Sequence, residues 1–223
     1  MTDTDRTRRQ RPTTRRTTSL AQMADHELMM RLKETLPDPQ PEAFSELVDR
    51  YKDRIVHYIY RYVGQRSTAE DLAQECFVRV FRNVAKYDPG AKFSTWIYTI
   101  ATNLAKDEFK RRARHPAKSL DWSSETSDTT RDLPGQTGST TRQPEFIAEK
   151  QELRDRIQDA LRMMREDDRE ILILREMNQM AYDEIARVLD VPMGTVKSRI
   201  SRARAAFSDV WKNMDVSRGT KSE

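Results

Sequence analysis

Cysteine, glycine and histidine are scarce in this chain of 223 residues. The single cysteine, Cys76, excludes an intramolecular disulfide and any site built on two thiolates. Three histidines, His26, His57 and His115, are too few and too scattered for a metal cluster. Six glycines leave no glycine-rich phosphate loop. No apolar run approaches the ~18–20 residues of a membrane-spanning helix. The N-terminus lacks the apolar core of a secretory signal. No Ser/His/Asp set and no paired-carboxylate motif points to catalysis. These absences lead to the expectation of a reduced, soluble, cytoplasmic chain that is not an enzyme and needs no metal or cofactor.

Charge is what the chain has in abundance. Lys and Arg number 40, Asp and Glu 36, for a net of +4. Charges are thus nearly balanced, so any basic surface has to be local. Charged residues reach 34% against a hydrophobic share of only 36%. That is little apolar material for one compact globule, which points to small domains with disordered segments.

The pattern along the chain is helical, without alternating strands or a long internal repeat. Residues 1–22, rich in Arg, Thr and Pro, read as a disordered basic tail. A first helical domain spans 23–114. Phe44, Leu47, Val48, Tyr51, Ile55, Tyr58, Ile59 and Tyr62 fall on one helix face, ended by Gly64. A following helix carries Leu72, Cys76, Phe77, Val80, Phe81 and Val84 inward and stops at a Tyr87-Asp88-Pro89-Gly90 turn. Cys76 therefore reads as a buried small hydrophobe. Another helix runs from about Ser94 to Arg112, with Ser94 or Thr95 as its cap. Residues 115–144, full of Ser, Thr, Pro and Gly, read as a flexible linker in which Trp122 stands out. A second helical domain spans 145–213, with Phe146, Leu153, Ile157, Leu161 and Met164 marking its first helix, and 214–223 forms a disordered tail. The expected fold class is all-α: two small helical domains joined by a flexible linker.

The sharpest local signal lies between Tyr182 and Arg204. Ile185, Ala186 and Leu189 mark a short apolar helix face, and Asp190–Gly194 breaks it. Val196, Ile200, Ala203 and Phe207 then recur at spacings of four, three and four. Rotating 100° per residue places Ser198, Ser201 and Arg202 opposite that stripe, flanked by Thr195 and Lys197, with Arg199 and Arg204 at the sides. This is the layout of a helix-turn-helix, whose second helix enters the major groove. Arg and Lys reach guanine O6 and N7, and hydroxyls serve bases or phosphates.

The first domain carries two further polar faces. Asp71, Glu75 and Arg82 lie opposite an apolar stripe, with Gln74 at the edge and Val78 exposed among them, which suits docking of a basic partner helix. On the next helix, Lys92, Phe93 and Trp96 lead into Thr99, Thr102, Asn103, Lys106 and Lys110, ending at Arg111, Arg112 and Arg114. The cations suit phosphates, and Asn103 suits an adenine edge or an unstacked base. Tyr87, Phe93, Trp96 and Tyr98 are candidate wedges or caps for a base stack.

Four stretches together resemble the extracytoplasmic-function sigma factors, the minimal two-domain class of bacterial RNA polymerase specificity subunits. They are Asp71-Leu-Ala-Gln-Glu-Cys-Phe77; Phe93-Ser-Thr-Trp-Ile-Tyr-Thr-Ile-Ala-Thr-Asn-Leu-Ala-Lys-Asp107 with Lys110-Arg-Arg112; Tyr182-Asp-Glu-Ile-Ala186; and Gly194-Thr-Val-Lys-Ser-Arg-Ile-Ser-Arg-Ala-Arg204. The resemblance implies that Asp71, Gln74 and Glu75 bind core RNA polymerase. It implies that Lys92, Phe93, Asn103, Lys106, Asp107, Lys110 and Arg111 recognise a melted minus-ten strand and hold a flipped base. Thr195, Lys197, Ser198, Arg199, Ser201 and Arg202 would read duplex minus-thirty-five DNA. It implies that the linker threads the polymerase's active-site and RNA-exit channels, and that an anti-sigma protein holds the factor inactive. The family's usual leucine-proline pair is replaced near Met163-Met164-Arg165, and its usual glycine by Asn178-Gln179. An autonomous helix-turn-helix regulator is the competing reading; it leaves the motifs of the first domain unexplained.

Overall fold

The computed structural model describes residues 19–37, 40–114 and 144–219. Most of the expected N-terminal tail, the expected linker with Trp122, the side chain of Phe146 and residues 220–223 lie outside the described residues. Among the described residues eight α-helices follow one another, four in each body. They are α1 (Asp25–Glu34), α2 (Pro41–Val63), α3 (Arg66–Arg82), α4 (Phe93–Arg114), α5 (Pro144–Met163), α6 (Glu166–Leu172), α7 (Tyr182–Leu189) and α8 (Met193–Gly219).

Helix α2 organises the first body. Pro41 opens it, where a missing N–H costs nothing. Gly64 closes it in the left-handed region at φ 79°, donating its N–H to Tyr60 O at 2.7 Å. Leu47, Tyr51, Ile55, Tyr58, Ile59 and Tyr62 are all buried, the stripe expected from their spacing. Arg50 on the outer side of α2 donates to Leu20 O, Ala21 O and Asp25. It thereby fastens residues 20–25, so the folded body begins before residue 23, inside the stretch assigned to the tail. On α3 the buried set is Ala69, Ala73, Cys76, Phe77 and Val80. Phe81, expected inward, is 40% exposed and sits edge-on to Phe44 with ring centroids 5.0 Å apart. Cys76 is wholly buried, as expected, and burial pushes its thiol pKa up to about 12.

The second body builds around Leu161, Ile171, Ile173, Leu174, Ile185, Val196 and Ile200, all buried. Leu153, expected inward, is 48% exposed. Between α6 and α7 a single π turn, Ile173–Met177, hands the chain to Gln179 at φ 56°. Gln179 therefore supplies the left-handed conformation at the place where the family pattern has glycine. Glu184 caps α7 by accepting the Ala181 N–H at 2.9 Å. Helix α8 runs on to Gly219, past the expected domain end at 213 and into the expected tail. Phe207 and Trp211 stack at 5.8 Å, the Arg156 guanidinium lies 4.5 Å over the Trp211 ring, and Arg156 also pairs with Asp215. An i,i+4 aromatic pair and a cross-helix cation thus prolong the helix.

The two bodies pack directly on one another. Helix α2 ends with carbonyls that lack intrahelical partners. The second body supplies donors: Arg169 to Tyr62 O at 2.9 Å, Arg162 to Gly64 O at 2.9 Å, and Gln158 to Tyr60 O and Arg61 O at 3.4 and 3.3 Å. Two cations at a helix C-terminus also meet the negative end of its dipole. Arg169 is 4% exposed and lies 4.9 Å over the Phe109 ring. Tyr62 returns a hydrogen bond to Glu166 at 2.7 Å, and Tyr98 one to Asn178 at 2.6 Å.

Candidate nucleic-acid interface

The turn between α7 and α8 places the second helix. Asp190 at φ 52° ends α7 in the left-handed region, and the Val191 N–H closes on Ala186 O at 3.0 Å. Val196, Ile200 and Ala203 are 0–1% exposed. Their burial turns Lys197, Ser198, Ser201 and Arg202 outward, with Thr195 and Arg199 half-buried at the flanks. The expected reading face is therefore assembled as one strip over the first three turns of α8. Two arginines of α8, Arg202 on the strip and Arg204 beside it, are held from behind by their own domain. The Arg202 Nε donates to Asp168 Oδ1 at 3.2 Å; Asp168 is 5% exposed. Arg204 donates both Nε and Nη2 to Glu176 Oε1. Anchoring Arg202 through Nε leaves its two terminal nitrogens for a bidentate partner such as guanine O6 and N7.

On α4, Asn103, Lys106, Asp107 and Lys110 share one side. Asn103, Asp107 and Lys110 are exposed. Lys106 is not open: its Nζ lies 2.8 Å from Glu170 Oε2 on α6. Lys92, just before α4, pairs at 2.8 Å with Glu184 on α7, which raises its pKa. Arg111 is exposed and joins Arg112 in clasping Glu108; burial alone would push the Glu108 carboxyl up, but these two hydrogen-bonded cations hold it below the usual range.

Phe93 departs from its expected role. It is 2% exposed, enclosed by the rings of Tyr51, Tyr87 and Trp96, and belongs to the core that seats the start of α4. Tyr87 and Tyr98 are buried as well, leaving Trp96 as the half-exposed member of the four candidate base platforms. Thr102 is buried too, bonded to Tyr58 and to Tyr98 O at 2.7 Å each. Thr95, expected as a cap, is buried, and its hydroxyl has no hydrogen-bond partner among the described residues. On α3, Asp71 and Gln74 are exposed, Glu75 is half-buried and paired with Arg79, and Val78 is 40% exposed beside them.

Two family models match this chain in order: sigma-70 region 2 over residues 47–115 and sigma-70 region 4 over 154–207. The ECF RNA polymerase sigma factor SigW of Bacillus subtilis is 36% identical over 174 residues, covering 74% of this chain and 87% of that protein. This chain belongs to the ECF RNA polymerase sigma factors. Two solved structures share the fold. One is CnrH in complex with the cytosolic domain of CnrY, with a TM-score of 0.62 at 21% identity, covering 86% of this chain and 99% of that one. The other is the sigma factor RpoE in complex with the anti-sigma factor NepR from Bartonella quintana, with a TM-score of 0.56 at 23% identity, covering 77% and 98%.

This sigma factor directs core RNA polymerase to promoters and initiates transcription. Among its described residues no helix is long and apolar enough to cross a membrane, and no group of three or more His, Cys, Asp and Glu could hold a metal ion. Sequence reasoning missed Asp168, Glu170 and Glu176, the carboxylates that hold the helix cations. They carry no motif of their own, and only the approach of α6 and the π turn to α4 and α8 brings them there.

Proposed function

We propose that the first domain binds core polymerase and the melted minus-ten strand, while the second reads duplex minus-thirty-five DNA. The strip of exposed Lys197, Ser198, Ser201 and Arg202 with half-buried Thr195 and Arg199 at its flanks, at the start of a helix-turn-helix second helix, carries this reading. Asn103, Lys106, Asp107, Lys110 and Arg111, with Lys92, supply the minus-ten contacts, and Phe93 seats the helix beneath them. Extruding a base costs a few kcal/mol, which polar partners such as Asn103 offset. Asp71, Gln74 and Glu75, with Val78 among them, form the polymerase face. The chain acts as a binding subunit rather than an enzyme, works in the cytoplasm, and is held inactive by an anti-sigma protein.

Run-off transcription with purified core polymerase, followed by mapping of the transcript starts, tests the reading. Discrete starts that appear only with this chain support it. Tight promoter binding by the chain alone, with no polymerase-dependent starts, overturns it in favour of an autonomous regulator. Reversing the charge of Asp71 and Glu75 together is expected to weaken core-polymerase capture while far-UV circular dichroism stays unchanged. Unaltered capture removes these residues from the docking face.

A further inference from the structure

Residues 6–16 hold Arg6, Arg8, Arg9, Arg11, Arg15 and Arg16 and no acidic residue. Asp3 and Asp5 are the only acids ahead of Ser19, and removing these residues from the totals of 40 cations and 36 anions leaves 34 of each. Residues 1–18 therefore carry the whole net charge of +4. Between Thr2 and Ser19 stand only Thr, Asp, Arg, Gln and one Pro, so the run offers a core nothing to bury. Its cations are all arginine, whose planar fork grips a phosphate through two parallel N–H donors, and threonine hydroxyls donate to phosphate oxygens as well.

The structure fixes where this run joins the folded body. Arg50 donates through Nη1 to Met23 O and Asp25 at 2.8 Å each, and through Nη2 to Leu20 O at 3.0 Å and Ala21 O at 3.1 Å. Asp25 also accepts from the Tyr51 hydroxyl, and the Tyr51 ring meets Phe93 edge-on at 5.0 Å. Lys33 on α1 donates to Tyr87 O at 3.0 Å. Residues 20–25 are thus pinned beside the turn that leads into α4, next to Lys92 and Phe93. A chain spans at most about 3.5 Å per residue, so Arg16 stays within about 10 Å of Ser19 and Arg6 within about 45 Å. We propose that residues 6–16 are a DNA-binding arm that grips promoter phosphates beside the minus-ten element, and that Arg50 sets the point from which the arm reaches. The proposal rests on the minus-ten role given to α4 above. Phosphate contacts add affinity without sequence preference, so the choice of promoter stays with the helices.

The test uses the full chain with core polymerase on a promoter fragment. Replacing all six arginines by glutamine is expected to weaken promoter binding at least about tenfold at 0.1 M salt and to flatten log K against log salt by about 3–5, the counterions that six phosphate contacts release. The loss should be the same on promoters with altered minus-ten bases, and capture by core polymerase without DNA should not change. A slope altered by less than about 1 overturns the arm, and a loss of core capture without DNA makes the run a polymerase contact instead. Promoter binding by the wild-type complex is the control: without it the minus-ten reading falls too, whereas binding with an unaltered slope in the variant overturns the arm alone. Location is read from a DNA-cleaving iron chelate on Thr14→Cys, the native Cys76 being wholly buried. Cuts are expected within about ten base pairs of the minus-ten element; cuts scattered over the fragment, or none, overturn the placement. Arg50→Lys keeps the charge but loses the fork that reaches several carbonyls at once, so it should widen the cleaved window. An unchanged window removes Arg50 from the proposal. If Arg50→Lys does not fold, Asp25→Asn loosens the same tie and is read by the same map.

Discussion

The two basic helices of this sigma factor meet the rest of the chain in opposite ways. On α8, the arginines Arg202 and Arg204 are held by Asp168 and Glu176 of the same domain, and the reading face stays open. On α4, Lys106 is held by Glu170 of the other domain, while Asn103, Asp107 and Lys110 beside it stay exposed. Carboxylates within one domain orient a cation without hiding it. A carboxylate across a domain boundary ties the cation into the seam between the domains. Similar charge chemistry thus leaves the outer strip open on α8 and draws a lysine into the domain seam on α4.

The comparison breaks most visibly at Arg169, which donates to the end of α2 from across the boundary. Arg169→Met is expected to destabilise the chain by about 2–3 kcal/mol, the worth of a charged hydrogen bond plus the buried carbonyl it leaves unpaired. Urea unfolding measures this, and a change within error would mean that the boundary contributes nothing to stability. On α8, Arg202→Ala should weaken minus-thirty-five recognition by about 1–3 kcal/mol, roughly 5- to 150-fold. Asp168→Asn should cost less, a few-fold, but relax preference at the same base pair as Arg202→Ala. A loss spread evenly over all base pairs would make Asp168 a purely structural residue. Cys76 sharpens the contrast from the core side. Wholly buried, with its thiol pushed up to about 12, it should react with a thiol reagent only as fast as the first body unfolds. Prompt reaction in the native chain would refute that burial. The smallest effect is expected at Gln179. Glycine tolerates φ 56° without the strain of a Cβ but loses more entropy on folding, so Gln179→Gly should shift stability by less than about 1 kcal/mol. Gln179→Val should lower it by more, because a β-branched side chain fits that region poorly.

The apolar stripes of α2 and α8 were legible in the residues because helical period turns spacing directly into facing. The reading strip on α8 followed by subtraction, once Val196, Ile200 and Ala203 were assigned inward. Phe93 was misassigned because an aromatic at the start of a basic helix has the same local pattern whether it stacks on bases or on Tyr51 and Tyr87. Phe81 and Leu153 failed for a related reason. Periodicity marks a face as apolar, but whether a neighbour covers that face depends on residues far away in the chain. The extension of α8 to Gly219 depended on Arg156, more than fifty residues upstream.

What the sequence determined alone was helical class, the two bodies, the family and the residues that face outward on α8. All of these follow from local period, turn chemistry and ordered motifs. Tertiary structure alone decided which cations are held and by whom. A charge reads identically in sequence whether it faces solvent, DNA or a carboxylate of the other domain, and only the meeting of α4 with α6 and α7 chooses among them.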